Sequence, residues 1–121
     1  MKIMKKKIDI VFTSITLLLG TVHIALTPTM YEHFSDEAHI FIGMGLAFLF
    51  LACINFARLF TKNKLVIILS LICNILCLIY LILPILFLGV KEPQGFIAIV
   101  VVLILAIFSL LDLNKLKIVN V

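Results

Sequence analysis

The stretch that decides the fold is Leu65–Val90, which reads LVIILSLICNILCLIYLILPILFLGV. It contains no charged residue, and it is longer than the ~20 apolar residues that a helix needs to cross a hydrocarbon layer about 30 Å thick. A helix satisfies its own backbone hydrogen bonds in lipid, whereas an open strand leaves an unpaired edge. The segment therefore predicts a transmembrane helix.

Three further apolar stretches accompany this segment, separated by short polar connections. The predicted spans are 8–26, 40–60, 65–90 and 96–113. The connections are too short to hold a soluble domain, so any chemistry has to lie within the bundle or at its ends. The sequence therefore predicts an all-α fold, with residues 1–121 forming one polytopic domain, a bundle of four transmembrane helices.

Composition supports a membrane protein. Of the 121 residues, 64% are hydrophobic and 13% are charged, against about 45–50% and about 25% in soluble domains. This excludes an ordinary water-soluble domain, and it excludes a disordered chain, which needs the opposite bias. The lipid bilayer is the expected partner. Nucleic acid is not expected, because the basic residues are not interleaved with stacking aromatic residues.

The basic residues also predict an orientation. Only Lys91 lies in the first or third connection, whereas the other basic residues flank the termini and the second connection. They are Lys2, Lys5, Lys6, Lys7, Arg58, Lys62, Lys64, Lys115 and Lys117. Because Lys and Arg accumulate in cytoplasmic loops, both termini are predicted to be cytoplasmic. His23 stands near the point where a cleavable signal peptide needs a small residue, so the first span is expected to be retained.

Polar residues follow one face of the first predicted helix. They are spaced by three or four positions, as residues on a single helical face are. The stripe consists of Asp9, Thr13, Thr16, Gly20, His23 and Thr27. Small and hydroxyl residues are typical of helix–helix seams in membranes. His23 fits a plain seam less well, because it is bulky and titratable.

The second and third helices carry their own candidates for the interior of the bundle or for ligand binding. These are Asn55, Arg58, Ser70, Asn74 and Tyr80. Arg58 is level with Asp9, so either an ion pair between them or an Arg58 that extends to the membrane surface is expected. An intramembrane asparagine such as Asn74 typically bridges neighbouring helices.

A small-residue pair in the second helix predicts a further contact. Gly43 and Ala47 are four positions apart, which is the spacing of a helix–helix contact between small residues. The contact partner is either another helix of the chain or a second protein.

Residues 23–39 hold all three histidines and three of the six carboxylates of the chain. Imidazole and carboxylate ligands suit zinc, copper or non-haem iron, and two histidines can ligate haem iron. His23 and His39, with Glu32 or His33, are the metal-site candidates. The alternative is a purely structural loop, in which Thr29-x-x-Glu32 forms a capping box and Ser35 caps the second helix.

A histidine in the first helix is followed by Phe41-Ile42-Gly43-Met44-Gly45-Leu46 and by Asn55 in the second. This pattern resembles uncharacterised small four-helix bacterial membrane proteins and covers a minor part of the chain. The resemblance implies a location in a bacterial inner membrane and no particular activity. Proteins of the DoxX type are similar in size and helix number only, because their charged positions do not match.

These observations give three functional hypotheses. The first is an accessory or ligand-binding membrane protein that assembles with itself or with a larger complex. The second is a redox site that binds a metal, haem or a quinone through His23 and His39. The third is a small oligomeric transporter or channel. The sequence shows no catalytic constellation, which disfavours an enzyme, and it specifies no cofactor.

Overall fold

The computed structural model of the chain is built from four α-helices. They are α1 (Lys2–Met30), α2 (Asp36–Phe60), α3 (Lys64–Leu88) and α4 (Pro93–Val119). The structure describes residues 2–61, 63–89 and 93–119, with the side chains of residues 4–61, 63–87, 89 and 93–116. Each helix contains a segment long and apolar enough to cross a membrane. The predicted all-α fold of four apolar helices is confirmed.

The helices form a ring in chain order. α1 packs mainly against α2 and α3 mainly against α4, while contacts of α2 with α3 and of α1 with α4 close the ring. Short connections make successive helices antiparallel. The start of α1 and the end of α4 therefore lie at one end of the bundle, the terminal end. Residues 31–35 lie at the opposite end, the loop end.

The helices and the predicted spans differ at their ends, and α3 ends at Leu88 where 65–90 was predicted. α1 covers Lys2–Met30 where 8–26 was predicted, and α4 covers Pro93–Val119 where 96–113 was predicted. The spans follow the apolar residues alone, whereas a helical backbone continues into its polar ends. Lys62 and Lys91, on which part of the predicted orientation rests, lie outside the described residues, as do Val90, the predicted end of the third span, and Glu92. The side chains of Lys2 and Lys117 also lie outside them.

The connection between α1 and α2 has one of the two predicted caps and lacks the other. Ser35 is its N-cap, and the Ser35 hydroxyl oxygen accepts a hydrogen bond from the Ala38 backbone N–H at 3.2 Å. The predicted capping box of Thr29 and Glu32 is wrong, because Thr29 lies in the last turn of α1. Its hydroxyl donates to the Leu26 carbonyl at 2.7 Å. A helix ends there, so there is no N-terminal N–H for Thr29 to cap.

The seam between α1 and α2 is closest at two glycines. A Cβ atom added to Gly20 would lie 2.7 Å from the Gly45 carbonyl oxygen, so only glycine permits this approach. Gly43 and Ala47 lie on the outside of the bundle instead, and a Cβ atom added to Gly43 would meet nothing within 4 Å. Within the chain, Gly45 makes the close contact, and the Gly43/Ala47 pair faces outward.

The interior is narrow and the outer surface is apolar. A cluster of buried hydrophobic residues crosses the middle of the bundle, and we call it the apolar layer; it consists of Phe48, Leu51, Leu81, Ala98 and Val102. Large hydrophobic side chains also cover the outside, among them Phe50 and Phe87, which are 71% and 79% exposed. Such a surface requires lipid, detergent or another protein to cover it.

Candidate functional site

A buried ion-pair cluster lies at the terminal end of the bundle. The Arg58 guanidinium donates from Nη2 to Asp9 Oδ1 at 2.6 Å and from Nη1 to Asp9 Oδ2 at 2.9 Å, and its side chain has 0% exposure. Nη1 also donates to Asp112 Oδ2 at 2.6 Å, and Lys5 Nζ donates to Asp112 Oδ1 at 2.5 Å. This Arg58 cluster ties α1, α2 and α4 together, and its four formal charges sum to zero.

A second layer of polar side chains lies directly above the Arg58 cluster. The amides of Asn55 and Asn74 exchange hydrogen bonds, with Asn55 Nδ2 donating at 3.0 Å and Asn74 Nδ2 donating at 3.1 Å. Ser70 Oγ donates to Asn55 Oδ1 at 3.0 Å, and Asn74 Nδ2 donates to Ser109 Oγ at 3.1 Å. All four residues of this amide–serine cluster have 0% exposure. The mutual satisfaction of these groups makes their burial tolerable.

Sequence spacing explains how the two clusters stack. On α2, Asn55 and Arg58 are three positions apart, and on α4, Ser109 and Asp112 have the same separation. Residues three or four positions apart share a helical face. α2 and α4 therefore each contribute one residue to the Arg58 cluster and one to the amide–serine cluster, whereas α3 contributes Ser70 and Asn74 to the amide–serine cluster. The Arg58 Nη2 group reaches Asn55 Oδ1 at 3.3 Å and joins the layers.

The predicted stripe on α1 is turned into the bundle. Thr13, Thr16 and Thr27 are buried, at 0%, 0% and 5% exposure, and Gly20 is buried at the seam. Thr16 and Thr27 donate to the carbonyls four residues earlier, at 3.0 and 2.8 Å. The Thr13 hydroxyl is buried and has no hydrogen-bond partner among the described residues.

A cavity of about 410 Å³ occupies the loop end of the bundle. It begins at Tyr31, Glu37 and Gln94, and it ends against Phe48 and Leu81 of the apolar layer. All four helices contribute to its lining, which also includes Leu19, His23, Met30, Ile40, Phe41, Met44, Tyr80, Pro84, Ile85, Gly95 and Ala98. Its volume falls in the range of small-molecule sites, about 300–1,000 Å³. Its walls are mostly apolar, with a few polar groups.

His23 is held in one orientation in the wall of this cavity. Its Nδ1 lies 2.8 Å from the Leu19 carbonyl oxygen, and its ring stacks on Phe41 with 4.5 Å between centroids. The edge of Phe48 lies against it at 5.7 Å. Because a carbonyl only accepts, Nδ1 carries the proton, and in the neutral ring Nε2 carries the lone pair. Nε2 makes no hydrogen bond within the described part of the chain.

Other polar groups lie at the mouth and along one wall. Tyr31 and Glu37 are at the mouth, and the Tyr31 ring lies 5.9 Å from that of Phe41. Tyr80, predicted as an interior or ligand-binding residue, lines the cavity but is 50% exposed, so it stands at the edge of the bundle. Pro84, one turn further along α3, has no N–H to donate to the Tyr80 carbonyl.

The structure does not bring the metal-site candidates together. His39 is exposed, and its ring contacts Phe34 with 5.7 Å between centroids. Glu32 and His33 are also exposed in the loop. Among the described residues, no group of three or more His, Cys, Asp or Glu side chains is arranged to hold a metal ion. Of the four candidates, His23 alone lines the cavity.

Several site residues escape sequence reasoning. Asp112 joins Arg58 to Lys5. The feature of the sequence that could have identified it is that it is the one carboxylate in the apolar run of α4, three residues after Ser109. Glu37 lines the cavity, although its place in the first turn of α2 is fully explained by the helix dipole. For Glu37 the sequence holds no further signal.

Comparison of this chain with models of protein families, with curated proteins and with solved structures yields no match. The geometry described above therefore carries the functional argument.

Proposed function

We propose that this chain is a multi-pass membrane protein of the bacterial inner membrane that has both termini in the cytoplasm. In this proposal it binds a small, largely apolar molecule in the loop-end cavity. The bound molecule donates a hydrogen bond, from a hydroxyl or an ammonium group, to His23. The observation that carries the proposal is the cavity of about 410 Å³ with the oriented His23 ring in its wall.

The distribution of charge supports the membrane placement. At the terminal end, the described side chains include the cations Lys5, Lys6, Lys7, Lys64 and Lys115. At the loop end they include the carboxylates Glu32, Asp36 and Glu37 and no Lys or Arg among residues 23–45. This asymmetry, together with four apolar helices, supports insertion with the terminal end in the cytoplasm.

The contacts of His23 define the chemistry of the ligand. The Leu19 carbonyl fixes the proton on Nδ1, so the neutral ring offers an acceptor at Nε2. Glu37 at the mouth adds an acceptor, which is negatively charged when ionised. Two acceptors within apolar walls favour a ligand with a donor head group and an apolar body. A quinol has this chemistry, and so does a lipophilic amine.

The apolar layer favours binding over conduction. Phe48 and Leu81 close the cavity, and on α2 the next polar side chain towards the terminal end is Asn55. The buried hydrophobic residues of the apolar layer thus lie between the cavity and the amide–serine cluster. A transporter or channel would need this layer to open, so ligand binding is the function we propose.

The test compares two probes that differ by one donor. 1-Naphthol has a hydroxyl donor, and 1-methoxynaphthalene has the same rings without it. We expect both probes to bind the detergent-purified protein. His23→Phe keeps an aromatic ring at this position but lacks Nε2, so we expect it to weaken 1-naphthol binding about two- to tenfold, as for one hydrogen bond. Binding of 1-methoxynaphthalene should change little.

Two controls make the test specific. His39→Phe changes the same residue type outside the cavity and should affect neither probe. Gly95 lines the cavity, and an added Cβ meets nothing within 4 Å, so Gly95→Leu should obstruct both probes. Gly43→Leu is its matched control, because Gly43 has equal room but does not line the cavity. If neither probe binds, or if Gly95→Leu and Gly43→Leu behave alike, the cavity is not a binding site.

Membrane orientation is tested separately. In a cysteine-free background, single cysteines replace His33 at the loop end and Lys115 at the terminal end. A membrane-impermeant maleimide added to intact cells should label only the first. Labelling of the second alone would reverse the proposed orientation.

A further inference from the structure

The loop-end cavity reaches the outside of the bundle at a second place besides its mouth. Tyr80 lines the cavity and is also 50% exposed, so its side chain stands between the cavity and the surroundings of the bundle. The next residue, Leu81, belongs to the apolar layer that closes the cavity. We call this place the side opening. It lies near the floor of the cavity, whereas Tyr31 and Glu37 lie at the mouth.

The side opening lies deep in the apolar part of α3. From Tyr80 to Leu88, the last residue of that helix, the backbone rises about 12 Å. Tyr80 is well inside the segment Lys64–Phe87, which is long and apolar enough to cross a membrane. Because the hydrocarbon layer is about 30 Å thick, the proposed membrane placement surrounds the side opening with lipid chains and leaves the mouth near water.

The outer surface around the side opening is apolar. Leu76, Leu83 and Phe87 are four, three and seven positions from Tyr80, so they share its face of α3. All three are exposed, and none of them lines the cavity. The mouth has the opposite character, because Glu37 places a carboxyl group there. A hydrocarbon chain that extends out of the cavity therefore finds apolar surroundings at the side opening and polar ones at the mouth.

We propose that the cavity binds an amphiphile taken up from the bilayer, with its head group at His23 and its long hydrocarbon tail leaving past Tyr80 into the lipid. The inference rests on the proposed function and narrows its ligand class. A cavity of about 410 Å³ holds a ring-sized head group, and a long tail has to extend out of it. A quinol with a hydrocarbon tail matches both openings, whereas a compact amine dissolved in water uses the mouth alone.

The test uses the unsubstituted chain in phosphatidylcholine vesicles and two probes with the same rings. 1-Methoxynaphthalene has no tail, and 1-hexadecyloxynaphthalene carries a long alkyl chain in place of the methyl group. Binding is followed by energy transfer to the naphthalene from Tyr31 and Tyr80, the two tyrosines of a chain without tryptophan. Gly95→Leu, which should obstruct the cavity, gives the background signal.

The two probes should have similar affinities. We expect them to agree within about threefold at equal concentration in the lipid, because the alkyl chain stays in hydrocarbon before and after binding. A chain that had to leave through the mouth would move into water, which weakens binding about fourfold for each methylene group. The tailed probe would then fail to bind measurably.

A nitroxide label tests what the side opening faces. In a cysteine-free background the label is attached to Tyr80→Cys, to Leu76→Cys on the same face, or to Tyr31→Cys at the mouth. We expect the labels at positions 80 and 76 to collide with oxygen, which dissolves in hydrocarbon, more often than with a water-soluble nickel chelate. The label at position 31 should show the reverse preference. Because position 80 lines the cavity and position 76 does not, 1-methoxynaphthalene should shift the spectrum of the first label and leave the second unchanged.

Three results would overturn the inference and leave the proposed function standing. The first is binding of 1-methoxynaphthalene with loss of the tailed probe. The second is a label at position 80 that prefers the nickel chelate, which would place water and not lipid at the side opening. The third is a label at position 80 that does not respond to bound 1-methoxynaphthalene. If neither probe gives a signal above the Gly95→Leu background, the proposed function fails and the inference fails with it.

Discussion

Replacing Arg58 with methionine should cost more stability than any other single charge removal at the terminal end. Lys5, Asp9, Arg58 and Asp112 sum to zero charge, so removing Arg58 leaves a net negative charge beside an Asp9 side chain that is 2% exposed. Leaving one partner of a buried pair uncompensated costs about 3–5 kcal/mol. Arg58 also donates to Asn55, at 3.3 and 3.4 Å, and that contact is lost too.

The double variant separates charge compensation from packing. Asp9→Asn alone should cost about 2–3 kcal/mol, less than the loss of Arg58, because Arg58 keeps its contacts to Asp112 and Asn55. Arg58→Met with Asp9→Asn leaves Asp112 paired with Lys5 and restores a neutral cluster. The two effects should therefore fall short of additivity by at least about 1.5 kcal/mol.

The chain supplies its own reporter for this measurement. Cys73 and Cys77 are partly buried against the apolar layer, whereas Cys53 is exposed. In a Cys53→Ser background, the rate of thiol labelling across a titration of SDS in mixed micelles reports the free energy of opening the bundle. The chain has no tryptophan, so intrinsic tryptophan fluorescence cannot serve.

Lys7→Met is the matched control, because it removes one exposed positive charge at the same end. It should stay within about 0.5 kcal/mol of the unsubstituted chain. A cost below about 1 kcal/mol for Arg58→Met, or additivity of the two substitutions within about 0.5 kcal/mol, would refute the reasoning, because independent sites behave additively.

Three further predictions concern packing and hydrogen bonds. Gly20→Ala should destabilise the bundle by about 1–3 kcal/mol, because its Cβ would lie 2.7 Å from the Gly45 carbonyl oxygen. Gly43→Ala should be neutral or stabilising by up to about 1 kcal/mol. The same labelling titration distinguishes the two variants, and equal effects would contradict the close contact of α1 with α2 at Gly20. Asn74→Leu should cost about 1–3 kcal/mol, because it removes the buried hydrogen bonds of Asn74 with Asn55 and Ser109, and a neutral result there would show that water or relaxation replaces the amide. Ser35→Ala should cost about 1 kcal/mol through loss of the N-cap of α2, measured as faster backbone amide exchange in its first turn, and unchanged exchange would argue against the cap.

The sequence predicts which face of each helix is turned inward, because helical spacing depends on residue separation alone. The stripe from Asp9 to Thr27 on α1 is an example, since five of its six members are buried and His23 is partly buried. Of the two alternatives left open for Arg58, the structure has the ion pair with Asp9, and Asn74 bridges neighbouring helices as expected.

The partners across the bundle depend on information that periodicity lacks. The contact of α1 with α2 uses Gly45 and not Gly43, although both are glycines two residues apart. The choice depends on the rotation of α2 about its axis, which packing against three other helices sets together. The same applies to Glu37, whose cavity position requires α3 and α4 to stand opposite.

The apolar layer has an electrical consequence. From Phe48 to Asn55 the helix rises about 10 Å, about a third of the hydrocarbon thickness of a bilayer. If water fills the cavity above this layer, the membrane voltage drops across the remaining thickness of the bundle only, and the local field there is steeper than in plain lipid. In the proposed membrane orientation, residues beside the layer are then placed where a change in voltage acts most strongly.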